Sequence, residues 1–286
     1  MNRTPWSYLR SVVGTVTLIM CSFTVRAQQE EPAWRVSAGG LVFGVLDVGD
    51  AVASDAIVGA DGKYDASGSQ AGARASVGLG KNSIACSVAI GEQKAGQETG
   101  YASGGSRKGS VTLGRSDIDL AWVRLLQSDE QGLLGLLVGM KMLSVDAEVY
   151  RFEQHAGRTA EQTFDGNVDW KMGTAGLFGS VYLSQQFPVA FLASFNILFG
   201  DVNGMTPQID DRVTDAEITT RYVTESSAAW GINGTVGLRY VPFRHLSMEI
   251  GYRGQILNST DGFGPPDPGL FYDGHQAMYA AADVLF

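Results

Sequence analysis

The sequence predicts an all-β chain folded as an antiparallel, up-and-down transmembrane β-barrel of about ten strands. Three observations support this prediction: apolar and polar residues alternate with a period of two, the connections are alternately short and long, and charged residues are few. Of 286 residues, 18% are charged and 37 are glycine, which fits neither a disordered chain nor a helix bundle. No run of about 20 apolar residues occurs, so a transmembrane helix is not expected.

The amino terminus has the features of a secretory signal peptide over residues 1–27. Arg3 and Arg10 supply its basic region, residues 12–23 form an apolar segment too short to span a bilayer, and Ala27 precedes the cleavage point. Loss of the three arginines in this segment changes the net charge from −9 to −12. Such an acidic balance argues against nucleic acid as a partner.

The mature chain, residues 28–286, is predicted to form the barrel. Its single cysteine, Cys86, excludes an internal disulfide and is expected to fill space on the outer face. The sequence has no phosphate-binding loop, zinc-ligand spacing or dinucleotide fingerprint, so no cofactor or metal is expected. An oligomeric state is not indicated.

The strands are recognised by apolar residues that recur at every second position. Ile118, Leu120 and Trp122 share one face of the clearest strand, and Asp117 and Asp119 share the other. About ten such runs of roughly ten residues occur, which is the length that a tilted strand needs to cross a bilayer. For the sixth run we assign Trp170, Met172, Phe178 and Tyr182 to the outer face, and Asp169 and Lys171 to the inner face.

The connections predict the orientation of the barrel. Short turns fall near residues 81, 129, 187 and 243, and long polar loops fall near residues 58, 100, 158, 212 and 265. An even number of strands places both termini on one side, so the short turns are periplasmic and the long loops extracellular. A soluble β-sandwich has no reason to alternate its connections in this way.

The last eleven residues, 276–286 (QAMYAAADVLF), alternate and end on Phe286. This segment resembles the closing strand of bacterial outer-membrane β-barrels, in which the terminal aromatic residue is part of the signal read by the insertion machinery. The resemblance implies an assembly signal that includes Tyr279, Val284 and Phe286. It also implies location in the cell outer membrane, with outer-membrane lipid, lipopolysaccharide and the barrel insertion machinery as partners.

A narrower resemblance rests on two hairpins. Residues 117–120 (DIDL), followed by residues 136–141 (LLVGMK) and Asp146, resemble a hairpin of the Legionella-type major outer membrane protein family. Residues 236–240 (VGLRY), followed by residues 249–253 (EIGYR), resemble the penultimate hairpin of that family. The resemblance implies an outer-membrane barrel of porin-like or surface-protein character, with no catalytic residues to transfer.

Charged residues of both signs share the inner faces of the predicted strands. Opposite charges at matching heights can pair across a narrow barrel, because buried charges need partners. A salt-bridge network that fills the lumen and a lining that selects ions are both consistent with this pattern. The inner set comprises Arg74, Arg115, Asp117, Asp119, Lys141, Asp169, Lys171, Arg239, Glu249, Arg253 and Asp283.

The predicted function is non-enzymatic: a porin-like passive channel, or a structural or surface protein. An adhesin-like interaction barrel and two outer-membrane enzymes are the alternatives. His245 and Ser247 near Glu249 resemble the His-x-Ser pair of lipid A deacylases, although the predicted topology places them at a periplasmic turn. An omptin-type protease site would need an acidic pair such as residues 210–211, together with His155 or His275.

We predict that Phe286→Ser, or deletion of Phe286, lowers assembly of the protein into the outer membrane. The physical reason is that the closing strand would lose its terminal aromatic anchor. The measurement is the intensity of the heat-modifiable band in outer-membrane fractions. Equal intensities for the variant and the unaltered protein would contradict the prediction.

Overall fold

The computed structural model describes residues 34–50, 67–100, 106–128, 132–155, 158–183, 188–209, 220–259 and 272–286. The predicted signal peptide lies outside these residues. The described chain consists of ten strands: β1 (Trp34–Asp50), β2 (Ser67–Leu79), β3 (Asn82–Gly100), β4 (Ser106–Ser128), β5 (Gly132–His155), β6 (Arg158–Tyr182), β7 (Val189–Ile209), β8 (Thr220–Phe243), β9 (Leu246–Ser259) and β10 (Tyr272–Leu285). No helix long and apolar enough to cross a membrane is found among the described residues.

All ten strands form one closed antiparallel barrel, which confirms the predicted fold class. Each strand pairs with its neighbours in the sequence, and β1 pairs with β10 to complete the circle. The pairing of β1 with β10 extends from Ser37 opposite Leu285 to Asp50 opposite Asp273, with one irregularity near Val45. Closure leaves no sheet edge, so the strands satisfy their backbone hydrogen bonds within the barrel.

The register fixes the tilt of the strands. A row of paired residues followed once around the barrel leaves β9 at Ser247 and returns to it at Ser259, a displacement of twelve residues. With about 3.3 Å per residue and about 4.7 Å between strands, this stagger corresponds to a tilt of roughly 40°, within the range of transmembrane barrels. The row passes through Asp283, Gly39, Arg74, Ser87, Asp119, Lys141, Met172, Gly200 and Ala229.

The outer surface carries a continuous apolar band near the end of the barrel where the short turns lie. On β5 the outward residues are apolar over five successive positions, from Leu134 to Met142. A band of this height requires hydrocarbon around it, because water would leave large apolar side chains exposed on every strand. Members of the band on other strands include Val77, Ile84, Leu120, Trp122, Leu177, Phe191, Phe195, Ile197, Val236, Leu238, Met248, Ile250, Met278 and Val284.

Two of the connections are tight hairpins of two residues. Gly80 and Lys81 join β2 to β3, and residues 244–245 join β8 to β9. Gly80 has a φ of 59°, in the left-handed region where a side chain is disfavoured. The Lys81 carbonyl accepts a hydrogen bond of 2.8 Å from the amide of Leu125, which attaches this turn to β4.

The strands beyond the apolar band are longer than the sequence predicts. The segments expected to form long loops near residues 100, 158 and 212 belong largely to paired strands, and β4 to β8 have 21 to 25 residues each. Outside the band the facing preference is reversed: Val149 and Val202 are buried inside, whereas Glu148 and Asp201 face outward. We call these parts of the strands the extensions. Because their outer face is polar, their amino-acid composition is similar to that of loops.

The facing predicted for most of β6 is wrong. Trp170 and Met172 are each only 2% exposed and point into the barrel, whereas Lys171 is exposed on the outside and Asp169 shares its outward face. Phe178 shares the inward face with them. The cause is the reversal just described: Trp170 and Met172 lie beyond the apolar band, where apolar side chains face inward. Tyr182, at the end of the strand, is 46% exposed.

We predict that Val138→Arg destabilises the barrel far more than Ser144→Arg on the same strand. Val138 is 50% exposed at the centre of the apolar band, and Ser144 faces outward beyond it. An arginine at mid-bilayer costs roughly 2–4 kcal/mol, and this cost falls to about 0–1 kcal/mol near the interface. Urea titration of the folded protein in lipid measures the difference. Equal unfolding free energies for the two variants would show that the band is misplaced.

Candidate functional site

Nine charged residues assigned to the lumen from the sequence lie on inward faces of the barrel, and they form two groups. The lower cluster, near the end with the two-residue turns, consists of Arg74, Arg239, Glu249 and Asp283. The upper cluster consists of Arg115, Asp117, Asp119, Lys141 and Arg253, together with Asp273.

The lower cluster is centred on Arg74. Its Nε donates to Asp283 Oδ1 at 2.8 Å, and one terminal nitrogen donates to Asp283 Oδ2 at 2.5 Å. The same terminal nitrogen donates to Glu249 Oε2 at 3.0 Å. The paired contacts to Asp283 form a two-pronged guanidinium–carboxylate interaction, which fixes orientation as well as charge. Because these residues belong to β2, β9 and β10, the bridge passes over β1.

Tyr279 completes the lower cluster. Its hydroxyl donates to Glu249 Oε1 at 2.6 Å, and its ring lies over the backbones of Gly251 and Gly237. A Cβ at Gly251 would lie 2.7 Å from the Tyr279 ring, so these positions must remain small. Arg239 donates to Glu249 at the longer distance of 3.3 Å. Tyr279 therefore has a structural contact inside the barrel in addition to its predicted place in the assembly signal.

The upper cluster is more deeply buried. Lys141 is fully buried and donates to Asp117, and it lies 3.3 Å from Asp119. Arg253 reaches Asp119 at 3.4 Å and Asp117 at 3.8 Å, and its guanidinium stands 5.6 Å from the centroid of the Phe43 ring. Interactions of this kind gain strength where water is excluded, but each lost partner costs correspondingly more.

Asp273 is the functional partner that the sequence reasoning missed. It accepts hydrogen bonds from both terminal nitrogens of Arg115, at 2.5 and 3.0 Å, and one from Gln255 at 2.8 Å. Arg115 and Asp273 are each 2% exposed. In the sequence, Asp273 falls between the long loop predicted near residue 265 and the closing segment 276–286, so it was not assigned to the lumen. A usable signal was present, because Asp273 shares parity with Asp283 on the closing strand.

The clusters connect opposite walls of the barrel. Bridges join β4 to β10 and β4 to β9, although three strands separate the first pair and four separate the second around the circle. The lower cluster holds two cations and two anions, and the upper cluster holds three of each. Both groups are therefore neutral, as buried ion clusters need to be.

An apolar layer fills the lumen from the upper part of the apolar band into the extensions, beyond most of the charges. Its side chains come from β4, β5, β6, β7 and β9, and each is no more than 2% exposed. The sequence contains a signal for this layer. On β5, Leu143 and Val145 continue the inward face of Lys141 with apolar residues, at the point where the outward residues become polar. We define the apolar layer as Leu113, Leu143, Trp170, Leu198, Val202 and Leu257.

The candidate catalytic residues lie in different parts of the barrel. At the β8–β9 turn, Nδ1 of His245 lies 3.1 Å from the carbonyl oxygen of Leu285. His275 lies in the barrel interior and is 2% exposed. The side chain of His155 and the acidic pair at 210–211 lie outside the described residues. No group of three or more His, Cys, Asp or Glu side chains able to hold a metal occurs in the described chain.

The three residues of the predicted assembly signal occupy both faces of β10. Tyr279 points inward, whereas Val284 and Phe286 are 45% and 64% exposed on the outer face. The Phe286 amide donates to the Val36 carbonyl at 2.9 Å, and the Leu285 amide donates to the His245 carbonyl at 3.0 Å. The terminal residues are thus attached to both neighbouring strands, and their role as a signal stays a prediction.

Comparison with solved structures gives outer-membrane β-barrels. The outer membrane protease OmpT from Escherichia coli aligns with a TM-score of 0.53 and 10% identity, over 92% of this chain and 99% of OmpT. The translocator domain of the autotransporter NalP from Neisseria meningitidis aligns with a TM-score of 0.39 and 11% identity, over 97% and 96% of the two chains. No family model matches the sequence, and no curated protein sequence matches it.

The closed ten-stranded barrel and its apolar band define the fold as that of a transmembrane β-barrel, the fold that OmpT also has. At 10% identity the likeness to OmpT shows the fold alone. Nothing in the comparisons confirms the narrower resemblance to the Legionella-type family, which stays a prediction.

We predict that Arg115→Met lowers the free energy of unfolding by about 3–5 kcal/mol, because Asp273 would remain buried without its cation. The double variant Arg115→Met/Asp273→Leu should recover most of this loss. Lys94→Met is the matched control, since Lys94 and its partner Glu92 are 70% and 48% exposed and such pairs contribute about 0–1 kcal/mol. Unfolding titrations in detergent or lipid provide the measurement. A double variant as unstable as the single one would contradict the pairing.

Proposed function

We propose that this protein is a closed outer-membrane barrel that does not conduct ions steadily and has a structural or surface role rather than an enzymatic one. The observation that carries the proposal is the burial of the barrel interior. Side chains from β4, β5, β6, β7, β9 and β10 reach inside the barrel and are almost completely shielded from solvent. A passive channel needs a continuous water path.

The nature of the interior supports the same proposal. Water and ions would have to pass the apolar layer, where few polar groups could replace their hydration. They would also have to separate the salt bridges of the upper cluster, which are charge-neutral as a group. A selectivity lining would instead leave charged groups hydrated and free to exchange ions. The charges of the upper cluster are therefore best explained as a stabilising network.

The proposed role places the functional contacts at the surface of the barrel. Outer-membrane lipid and lipopolysaccharide surround the apolar band, and the insertion machinery acts during assembly. The extracellular connections, which carry many of the acidic residues, are the part available to external partners. The negative net charge of the chain makes nucleic acid an unsuitable partner.

Single-channel recording in planar bilayers tests the proposal. We predict that the refolded protein gives no steady conductance, although heat-modifiability shows that it is folded. The variant Trp170→Ser/Leu198→Ser, which introduces space and hydroxyl groups into the apolar layer, should give measurable openings. The control Lys171→Ser/Phe199→Ser changes the adjacent outward residues and should stay silent. Steady current from the unaltered protein would overturn the proposal in favour of a porin-like channel.

A further inference from the structure

The lumen contains a cavity of about 380 Å³, a volume within the range of small-molecule sites. It lies beside the lower cluster, near the end of the barrel with the two-residue turns. Arg74 is five residues from the end of β2, and Arg239 is four residues from the end of β8. The predicted orientation, with the short turns in the periplasm, makes this the periplasmic end.

The cavity differs from the rest of the lumen in its exposure to solvent. Ser37, Ser76, Thr174 and Thr235 line it and are partly exposed, whereas the apolar layer is almost fully buried. Solvent therefore reaches the cavity from the side opposite the apolar layer. We define this space as the vestibule: it is open toward the periplasm and closed toward the cell exterior.

The charges around the vestibule are balanced in number, but those of the lower cluster differ in exposure. Three arginines line it, Arg74, Arg239 and Arg253. The Arg74 and Arg239 side chains are 25% and 39% exposed, whereas the side chains of their partners Glu249 and Asp283 are only 7% and 9% exposed. The surrounding wall supplies neutral hydroxyl and amide groups, which can donate hydrogen bonds to an anion. Cationic groups that are more exposed than their anionic partners raise the local concentration of anions in a concave space.

Two of the three arginines are loosely held. Among the described residues, Arg239 makes one ionic contact, of 3.3 Å to Glu249, which already accepts shorter hydrogen bonds from Arg74 and Tyr279. The Nε atom of Arg239 is buried without a hydrogen-bond partner, while its side chain as a whole is 39% exposed. The contacts of Arg253 with its two carboxylates are also long, at 3.4 and 3.8 Å.

We propose that the vestibule is a binding site for a small oxyanion, a carboxylate or phosphate group, that enters from the periplasm. The Arg239 guanidinium is the main ligand, because it has donors that Glu249 does not use. The hydroxyl of Ser194 lies on the same wall, 2.6 Å from that of Thr235. This site is independent of the proposed structural role, because a barrel that conducts ions could contain the same arginines.

Chemical modification of an introduced cysteine tests the site in the full mature chain. The background is Cys86→Ser, because Cys86 is the free thiol of the described chain. Thr235→Cys places a thiol in the vestibule, and Ala277→Cys places one at an inward position that is fully buried. Each is treated with an anionic and a cationic methanethiosulfonate of similar size, and each rate is divided by the rate with a free thiol in solution.

We expect Thr235→Cys to react, with the anionic reagent favoured by roughly threefold, because the arginines of the lower cluster are more exposed to the vestibule than their carboxylate partners. Ala277→Cys should remain unmodified. Added inorganic phosphate should slow the reaction at Thr235→Cys. In the Arg239→Gln variant both the preference for the anionic reagent and the protection by phosphate should be lost, and Arg239→Lys should retain the preference.

Each result decides the proposal. An unreactive Thr235→Cys would show that the vestibule is closed, and equal rates for the two reagents would show that it does not attract anions. Protection by phosphate that persists in Arg239→Gln would place the anion elsewhere. Heat-modifiability of every variant verifies folding, and Arg239→Gln is expected to fold because its single ionic contact is long and exposed.

Discussion

Closure of the sheet by the pairing of β1 with β10 is the constraint on which the rest of the structure depends. In hydrocarbon an unpaired backbone N–H or C=O costs several kcal/mol, so an open edge within the apolar band is not tolerated. The pairing extends from Ser37 to Asp50 on β1 and continues through the terminal amide of Phe286. Once the circle is closed, every second side chain points into a narrow interior, where polar groups must find partners among themselves.

The environment outside the barrel determines which residues lie inside it. Within the apolar band, hydrocarbon surrounds the strands and the charged clusters occupy the lumen. Beyond the band, water surrounds the same strands, so the hydrophobic effect drives apolar side chains inward as in a soluble protein. Val111 and Leu113 lead into Arg115 and Asp117 along one inward face of β4, which shows the change within a single strand. The barrel therefore has charged residues inside where lipid surrounds it, and apolar residues inside where water surrounds it.

The sequence predicted the barrel because a period of two is a local property of each strand. The same local rule placed Lys141 and Glu249 inside, since their apolar neighbours belong to the band. It failed for Trp170, because parity alone does not show whether a strand is in lipid or in water at that height. The rule also made the predicted strands too short, because the outer faces of the strands are polar beyond the band.

Contacts across the lumen were less accessible to sequence reasoning. Parity assigns a residue to a face, but the partner of Arg115 depends on the stagger of the strands accumulated around the barrel. Asp273 is 158 residues away from Arg115 in the sequence, and only the twelve-residue displacement brings the two to one level. The vestibule likewise depends on tilt and on the sizes of side chains from many strands.

The bridge from Arg74 to Glu249 and Asp283 has a consequence for how the chain is assembled. It joins the second strand to the ninth and tenth strands, so its charges meet only when the first and last strands come together. A sheet that has not yet closed leaves Glu249 without Arg74, and an ionised carboxylate facing hydrocarbon is strongly unfavourable. Charge neutralisation is thereby coupled to the final zipping of the barrel, and reopening the seam between its ends would require separating ions as well as backbone hydrogen bonds.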